Sequence, residues 1–137
     1  MKKRDVAVLV LFKGNKILLQ KRAKDAKRFP GTWGLFGGGV EDGESPELAL
    51  RREIKEELGL DLEIVSLADK CDYVLPEKGE SGQIFIFYSK YKNQKLCLNE
   101  GDRMEWVDLD RSLEYDITPY YRKIIEKIRH NNIYVVS

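Results

Sequence analysis

The chain has one histidine, His130, and two cysteines, Cys71 and Cys97, among 137 residues. That scarcity excludes much chemistry. Such a set argues against a tetrahedral zinc site. The cysteines form no CxxC motif and no disulfide framework, so a reducing compartment is expected. Ser-His-Asp and Cys-His mechanisms need a histidine beside the nucleophile. His130 instead falls near the end of a predicted helix, where the dipole favours a solvated cation. A bias of charge is also lacking: 24 basic and 23 acidic residues leave +1. No general affinity for nucleic acid or membrane is expected. No run reaches the ~18 apolar residues of a membrane span. Met1-Lys2-Lys3-Arg4 followed by Val6 to Phe12 has a superficial likeness to a signal peptide. Asp5 interrupts it, however, and Lys13-Gly14-Asn15-Lys16 follows with no cleavage site. The expectation is a cytoplasmic protein with one domain over residues 1–137. At that length a single core buries about two-thirds of the unfolded chain's surface.

The apolar, β-branched stretch Val6 to Phe12 predicts a central strand. Gly14-Asn15 predicts a hairpin turn, and Lys16 to Arg22 the returning strand. Ala23 to Pro30 reads as a basic loop, Trp33 to Phe36 as a short apolar run, and Gly37-Gly38-Gly39 as a permissive backbone. Ser45-Pro46 starts a helix that runs to Leu58, with Gly59 as its C-terminal signal. Strands are predicted over 62–68, 83–91 and 104–109, with a polar loop over 75–82. A second helix spans Pro119 to Arg129, and residues 133–136 read as a tail strand or ordered terminus. A mixed sheet covered by two helices is the natural architecture.

The first helix contains REIKEELG, Arg52 to Gly59. Glutamates at i, i+3 and i, i+4 repel by about 0.2–0.5 kcal/mol per pair. At helical spacing Leu50, Ile54 and Leu58 form a buried stripe. Glu53, Glu56, Glu57 and Ala49 flank it within an arc of about 100°. Arg51 and Lys55 lie on the other side. Two readings are open. The run is a solvated charged face, with Arg52 and Glu56 as an ion pair, or its carboxylates gather a hard cation such as Mg²⁺ or Mn²⁺. The glycines upstream favour the second reading, because free amides in such a loop can cradle phosphate.

Gly38, five residues, Glu44, seven residues and then Arg52-Glu53-Ile54-Lys55-Glu56-Glu57-Leu58-Gly59-Leu60 resembles the Nudix box at every specified position. The likeness continues upstream through Gly31 to Gly38, and the two-strand opening and C-terminal helix fit it as well. The resemblance implies an α/β/α sandwich with a mixed, largely antiparallel sheet. It implies hydrolysis of a nucleoside diphosphate linked to X, a small-molecule nucleotide substrate, and Mg²⁺ or Mn²⁺ as cofactor. It makes Glu53, Glu56 and Glu57 metal ligands, with the Gly37 carbonyl as a further one. Arg52 would orient a glutamate, with Glu44 as its partner. An additional carboxylate is expected from Glu100 or Asp102. Dimers are common among such proteins, so a homodimer is an option, although no interface is readable. One departure is Phe36, where relatives commonly have proline. It either contacts a base or fills the core, the usual place of an apolar aromatic.

The compact length resembles mutator-type enzymes that convert nucleoside triphosphates, canonical or oxidised, to monophosphate and pyrophosphate. Arg22, Lys27 and Arg28 are candidates for phosphate contacts, with Gly38 supplying backbone; ordinary solvated charge is the competing reading for the three cations. Pro76, sixteen residues past Leu60, gives a weak likeness to the ADP-ribose-cleaving branch, and a plain turn explains it equally. A non-catalytic Nudix-like nucleotide sensor is the alternative of another class, and the intact acidic triplet argues against it. A calcium loop fails because Leu113 stands where glycine is needed after Asp108, Asp110 and Ser112.

Overall fold

A run such as Val6 to Phe12, apolar at every position, belongs in a strand buried on both faces. In the computed structural model, which describes residues 1–131, it is the middle of the sheet. The strands are β1 (Lys2–Lys3), β2 (Val6–Lys13), β3 (Lys16–Lys21), β4 (Trp33–Gly34), β5 (Phe36–Gly39), β6 (Ser66–Leu75), β7 (Glu80–Lys90) and β8 (Arg103–Asp108). The helices are α1 (Pro46–Leu58) and α2 (Pro119–Asn131). Val6, Val8, Val10 and Phe12 enter the core beneath α2, with Tyr121, Ile124, Ile125 and Ile128. Ala7, Leu9 and Leu11 enter the core beneath α1, with Leu50, Ile54 and Leu58. The result is an α/β/α sandwich. Among the described residues its sheet is antiparallel except where β7 runs parallel to β1 and β2.

The way the sheet splits matters most for the site. β7 occupies one edge of β2 from Val6 to Phe12. The other edge is shared. β3 takes only Phe12 and Lys13 across the Gly14-Asn15 hairpin, and β5 takes Val6 to Leu9. β3 in turn has β8 along its whole length and β4 only at Gln20 and Lys21. So β2 and β3 fork, and residues 33–39 wedge into the fork. Among the described residues β5 is bonded within the sheet to β2 alone.

Helix α1 begins and ends as its caps dictate. The Ser45 hydroxyl accepts from Leu48 N–H at 3.2 Å, and Pro46 opens the first turn. Gly59 adopts φ 65° and donates to the Lys55 carbonyl at 3.0 Å.

Two expectations fail in the middle of the chain. The strand expected over 62–68 starts at Ser66 and runs to Leu75. Leu62 packs under α1, and the carbonyls of residues 62–64 are spent on side chains: Arg51 donates to Leu62 and Glu63, and Ser89 to Ile64. Carbonyls used that way cannot build a ladder. The loop expected over 75–82 is a tight hairpin. Pro76–Lys78 forms one 3₁₀ turn closed by Gly79 at φ 61°, and β7 begins at Glu80. The tail strand over 133–136 lies outside the described residues.

Candidate active site

Gly37 has φ 146°, and a Cβ there would lie 2.1 Å from the Ala7 carbonyl oxygen. Only glycine fits. Its N–H donates to Glu57 Oε1 at 3.1 Å. Gly38 is needed for a different reason. A Cβ on it would sit 2.5 Å from the Glu53 carboxyl carbon. The missing side chain at Gly37 lets β5 lie close on β2, and the one at Gly38 lets Glu53 of α1 settle onto β5.

Arg52 organises that flank. It grips Glu44 with two bonds, Nε to Oε2 at 2.8 Å and Nη2 to Oε1 at 3.0 Å. Nη1 donates to Glu53 Oε1 at 2.8 Å, and Nη2 also reaches the Gly39 carbonyl at 3.1 Å. Glu56 lies 3.6 Å away and stays largely exposed. The fork of donors suits this task, and lysine could not reproduce it. Arg52, helped by the Glu41 N–H, holds the Glu44 carboxyl down at about 2.

Glu57 is the anomaly. It is 3% exposed, its polar partners are the Gly37 N–H and Glu53, and no cation pairs with it among the described residues. Burial first, then the bond with Glu53 and the charge of Glu100, push its carboxyl up to about 9, against the Gly37 N–H. Glu100 comes in on a loop tied to the end of α1. Cys97 N–H donates to the Leu58 carbonyl, Asn99 N–H to Glu57, and Asn99 Nδ2 to Glu56. Of the two carboxylates expected from this loop, Glu100 is thus the one felt at Glu57. The Asp102 N–H is bonded to the Lys21 carbonyl.

Among the described residues no three acidic, histidine or cysteine side chains already close into a metal cage, because Glu53 and Glu56 are turned toward Arg52. The donor chemistry nevertheless fits a hard divalent ion. All the donors are oxygens, and a buried carboxyl without a cation sits beside two more acids. A divalent ion would relieve that crowding.

The other expected residues divide. Gly37 and Gly38 lie at the carboxylates. Arg22 donates from Nε to the Arg28 carbonyl at 2.6 Å, and the Arg28 guanidinium is bound by Glu80. Phe36, expected as a substrate contact, is 1% exposed in the core under α1. That expectation is corrected: Phe36 packs. Four residues near the site had no signal in the sequence. Gln20 is buried between Leu35 and Gly101, Asn99 caps α1, and Glu80 and Arg4 meet at Tyr73. Each depends on contacts far away in the chain. On the α2 side a cavity of about 770 Å³ is lined by Phe29, Tyr73, Leu75 and Tyr120. Tyr121, packed against Tyr120, has its hydroxyl pushed up by burial foremost and in part by Glu57.

The NUDIX domain family model matches residues 1–128. The chain belongs to the Nudix family. It is accordingly a Nudix pyrophosphohydrolase, an enzyme of a family that uses divalent metal ions. It is 33% identical over 135 residues to the nucleoside triphosphatase NudI of Escherichia coli O17:K52:H18, covering 91% of this chain and 96% of that one. A MutT Nudix hydrolase from Burkholderia pseudomallei is 28% identical with a TM-score of 0.79, covering 93% and 99% of the two chains. The MutT protein of Methanosarcina mazei Go1 shares the Nudix fold at a TM-score of 0.84 and 23% identity, covering 96% of both. No helix among the described residues is long and apolar enough to cross a membrane.

Proposed function

We propose that this Nudix enzyme cleaves a nucleoside triphosphate to its monophosphate and pyrophosphate. Glu53, Glu56, Glu57 and the Gly37 carbonyl hold Mg²⁺, or Mn²⁺ in its place. The observation that carries the metal assignment is Glu57, buried beside Glu53 and Glu100 with no cationic side chain paired to it among the described residues. The NudI relative, a nucleoside triphosphatase, supports the choice of substrate.

The bound ion would screen the phosphate oxygens and lower the pKa of the attacking water. The protein's own contribution is placement. Arg52 is a positioning residue: three of its bonds fix Glu53 and Glu44, and a fourth holds the Gly39 carbonyl. The Gly37 N–H fixes Glu57. Pre-set ligands of this kind avoid reorganisation as charge develops on the transferring phosphorus. The cavity is wide enough for a nucleobase. Phe29 adopts a left-handed φ of 45°, uncommon for a bulky residue, and its ring meets Tyr120 edge-on at 5.5 Å. Such a conformation persists where surroundings enforce it; here Thr32 donates to the Phe29 carbonyl at 2.8 Å.

The test is product analysis with Mg²⁺ on nucleoside triphosphates, an oxidised-guanine triphosphate, ADP-ribose and a dinucleoside polyphosphate, with Glu57→Gln as control. Monophosphate plus pyrophosphate from a triphosphate, lost in the control, is the expected result. Turnover of ADP-ribose alone, to AMP and ribose phosphate, would replace the triphosphate reading.

A further inference from the structure

Arg4 is a cation without an ion-pair partner among the described residues, and the fold places it against the glycine strand. A Cβ on Gly39 would meet Arg4 Nε and Nη2 at 3.1 Å, so the guanidinium lies against that glycine. The Gly39 carbonyl is held by Arg52 at 3.1 Å. One glycine therefore touches two guanidiniums. Arg52 is balanced by Glu44 and Glu53; Arg4 is not. Glu80 feels the charge of Arg4, but both of its oxygens already accept bonds, from Arg28 and from the Tyr73 hydroxyl. Arg4, Arg28 and Glu80 together leave one positive charge uncompensated. The Arg4 main chain is anchored separately: its N–H donates to the Ser81 carbonyl, and its carbonyl accepts from Tyr73.

A half-buried guanidinium with its donors unspent, held beside an acidic metal site, is an anion-binding group. Gly38 faces Glu53 and the neighbouring Gly39 faces Arg4. The edge of β5 opposite β2 has no strand partner among the described residues, and α1 reaches it through Glu57 at the Gly37 N–H and Arg52 at the Gly39 carbonyl. A polyphosphate that meets the carboxylates at this edge has Arg4 at the other side of the same strand. Resting on the triphosphate reading above, we propose that Arg4 binds the pyrophosphate portion of the substrate, the part that leaves, and thereby selects for a polyphosphate over a monophosphate.

The experiment compares wild type with Arg4→Ala, Arg4→Lys and Lys3→Ala, the last removing an exposed charge from the adjacent strand. Calorimetric binding of inorganic pyrophosphate with Mg²⁺ is read beside binding of a nucleoside monophosphate, with thermal melts as a check on folding. Losing a charged hydrogen bond should weaken pyrophosphate binding about tenfold or more in Arg4→Ala, with KM for triphosphate rising in parallel. Monophosphate binding should stay unchanged. Arg4→Lys should recover part of the loss, and Lys3→Ala should resemble wild type. The inference is overturned if Arg4→Ala binds pyrophosphate within about twofold of wild type, if monophosphate weakens equally, or if Lys3→Ala has the same effect. Failure of the wild type to hydrolyse any triphosphate would overturn the parent reading alone, because pyrophosphate binding is measured without turnover.

Discussion

Alanine at Gly38 is the smallest change that separates the site from the fold. Gly38 lies in an extended strand with no left-handed φ, so alanine meets no backbone strain there. It even recovers roughly 0.5–1 kcal/mol of the conformational entropy that a strand glycine costs. The obstacle is the Glu53 carboxylate, whose three terminal atoms would lie 2.5, 2.6 and 2.7 Å from the new Cβ. Ordinary contact begins near 3.4 Å, so the carboxylate must retreat by about 1 Å. Glu53 is the flexible end of a side chain and can move, but moving pulls it from Arg52 Nη1. Displacement of a ligand by about 1 Å costs on the order of 10²-fold in rate. Gly38→Ala should therefore lose about a hundredfold in kcat while its melting temperature stays within a few degrees of wild type. Gly37→Ala makes the contrast. There the clash is with main chain, 2.1 Å from the Ala7 carbonyl oxygen and 2.7 Å from Val8 Cα, at φ 146°. It should lower the melting temperature sharply or prevent folding. Steady-state phosphate release after a coupling pyrophosphatase, beside thermal melts, reads both effects. Gly38→Ala with kcat within about threefold of wild type would refute the claim that Glu53 must sit against this strand.

Two further results are expected. Glu57→Gln removes a crowded, buried carboxyl without changing its shape: the metal-free melting temperature should hold or rise, turnover should fall by orders of magnitude, and the stabilisation that Mg²⁺ gives wild type should vanish; a variant that Mg²⁺ stabilises as fully as wild type would remove Glu57 from the ligand set. Glu80, with its carboxyl held low by Arg28 first, stabilises the fold above the ordinary glutamate value of about 4.3, and that share is lost as pH falls through its lower folded value. Glu80→Gln should cost about 1–3 kcal/mol at pH 7 by leaving Arg28 unpaired, and its urea midpoint should fall less than that of wild type between pH 6 and pH 3, which parallel acid curves would contradict.

Sequence periodicity served well where the cause was local. The double-sided burial of Val6 to Phe12, the caps of α1 at Ser45 and Gly59, and the stripe Leu50, Ile54 and Leu58 all follow from neighbours within one or two turns. The shared face of Glu53, Glu56 and Glu57 did so too. What was illegible depended on partners far along the chain. The strand placed at 62–68 begins at Ser66 because Arg51 and Ser89 capture carbonyls that a strand would need. Phe36 is apolar and borders the glycines, so its fate turned on which face of β5 it took. The pairing of β5 with β2 puts it under α1. Arg28 looked like one more loop cation, and Glu80, 52 residues away, decides that its guanidinium is engaged.

The same distinction explains why the site needs the fork in the sheet. A helix alone can gather glutamates, but repulsion would spread them into solvent. Here β2 and β3 part after the hairpin, β5 enters the opening, Gly37 lets it lie close on β2, and Gly38 leaves no side chain to hold Glu53 of α1 away. Glu57 is then buried against the Gly37 amide, and Glu53 is pinned between Gly38 and Arg52. Burying like charges in this way is unfavourable in the apo state. The glycines and Arg52 enforce it, and a cation would reverse its sign. The acidic run REIKEELG therefore makes sense only together with the glycines of β5, earlier in the chain, where Gly38 leaves room for Glu53 and the Gly37 N–H receives Glu57.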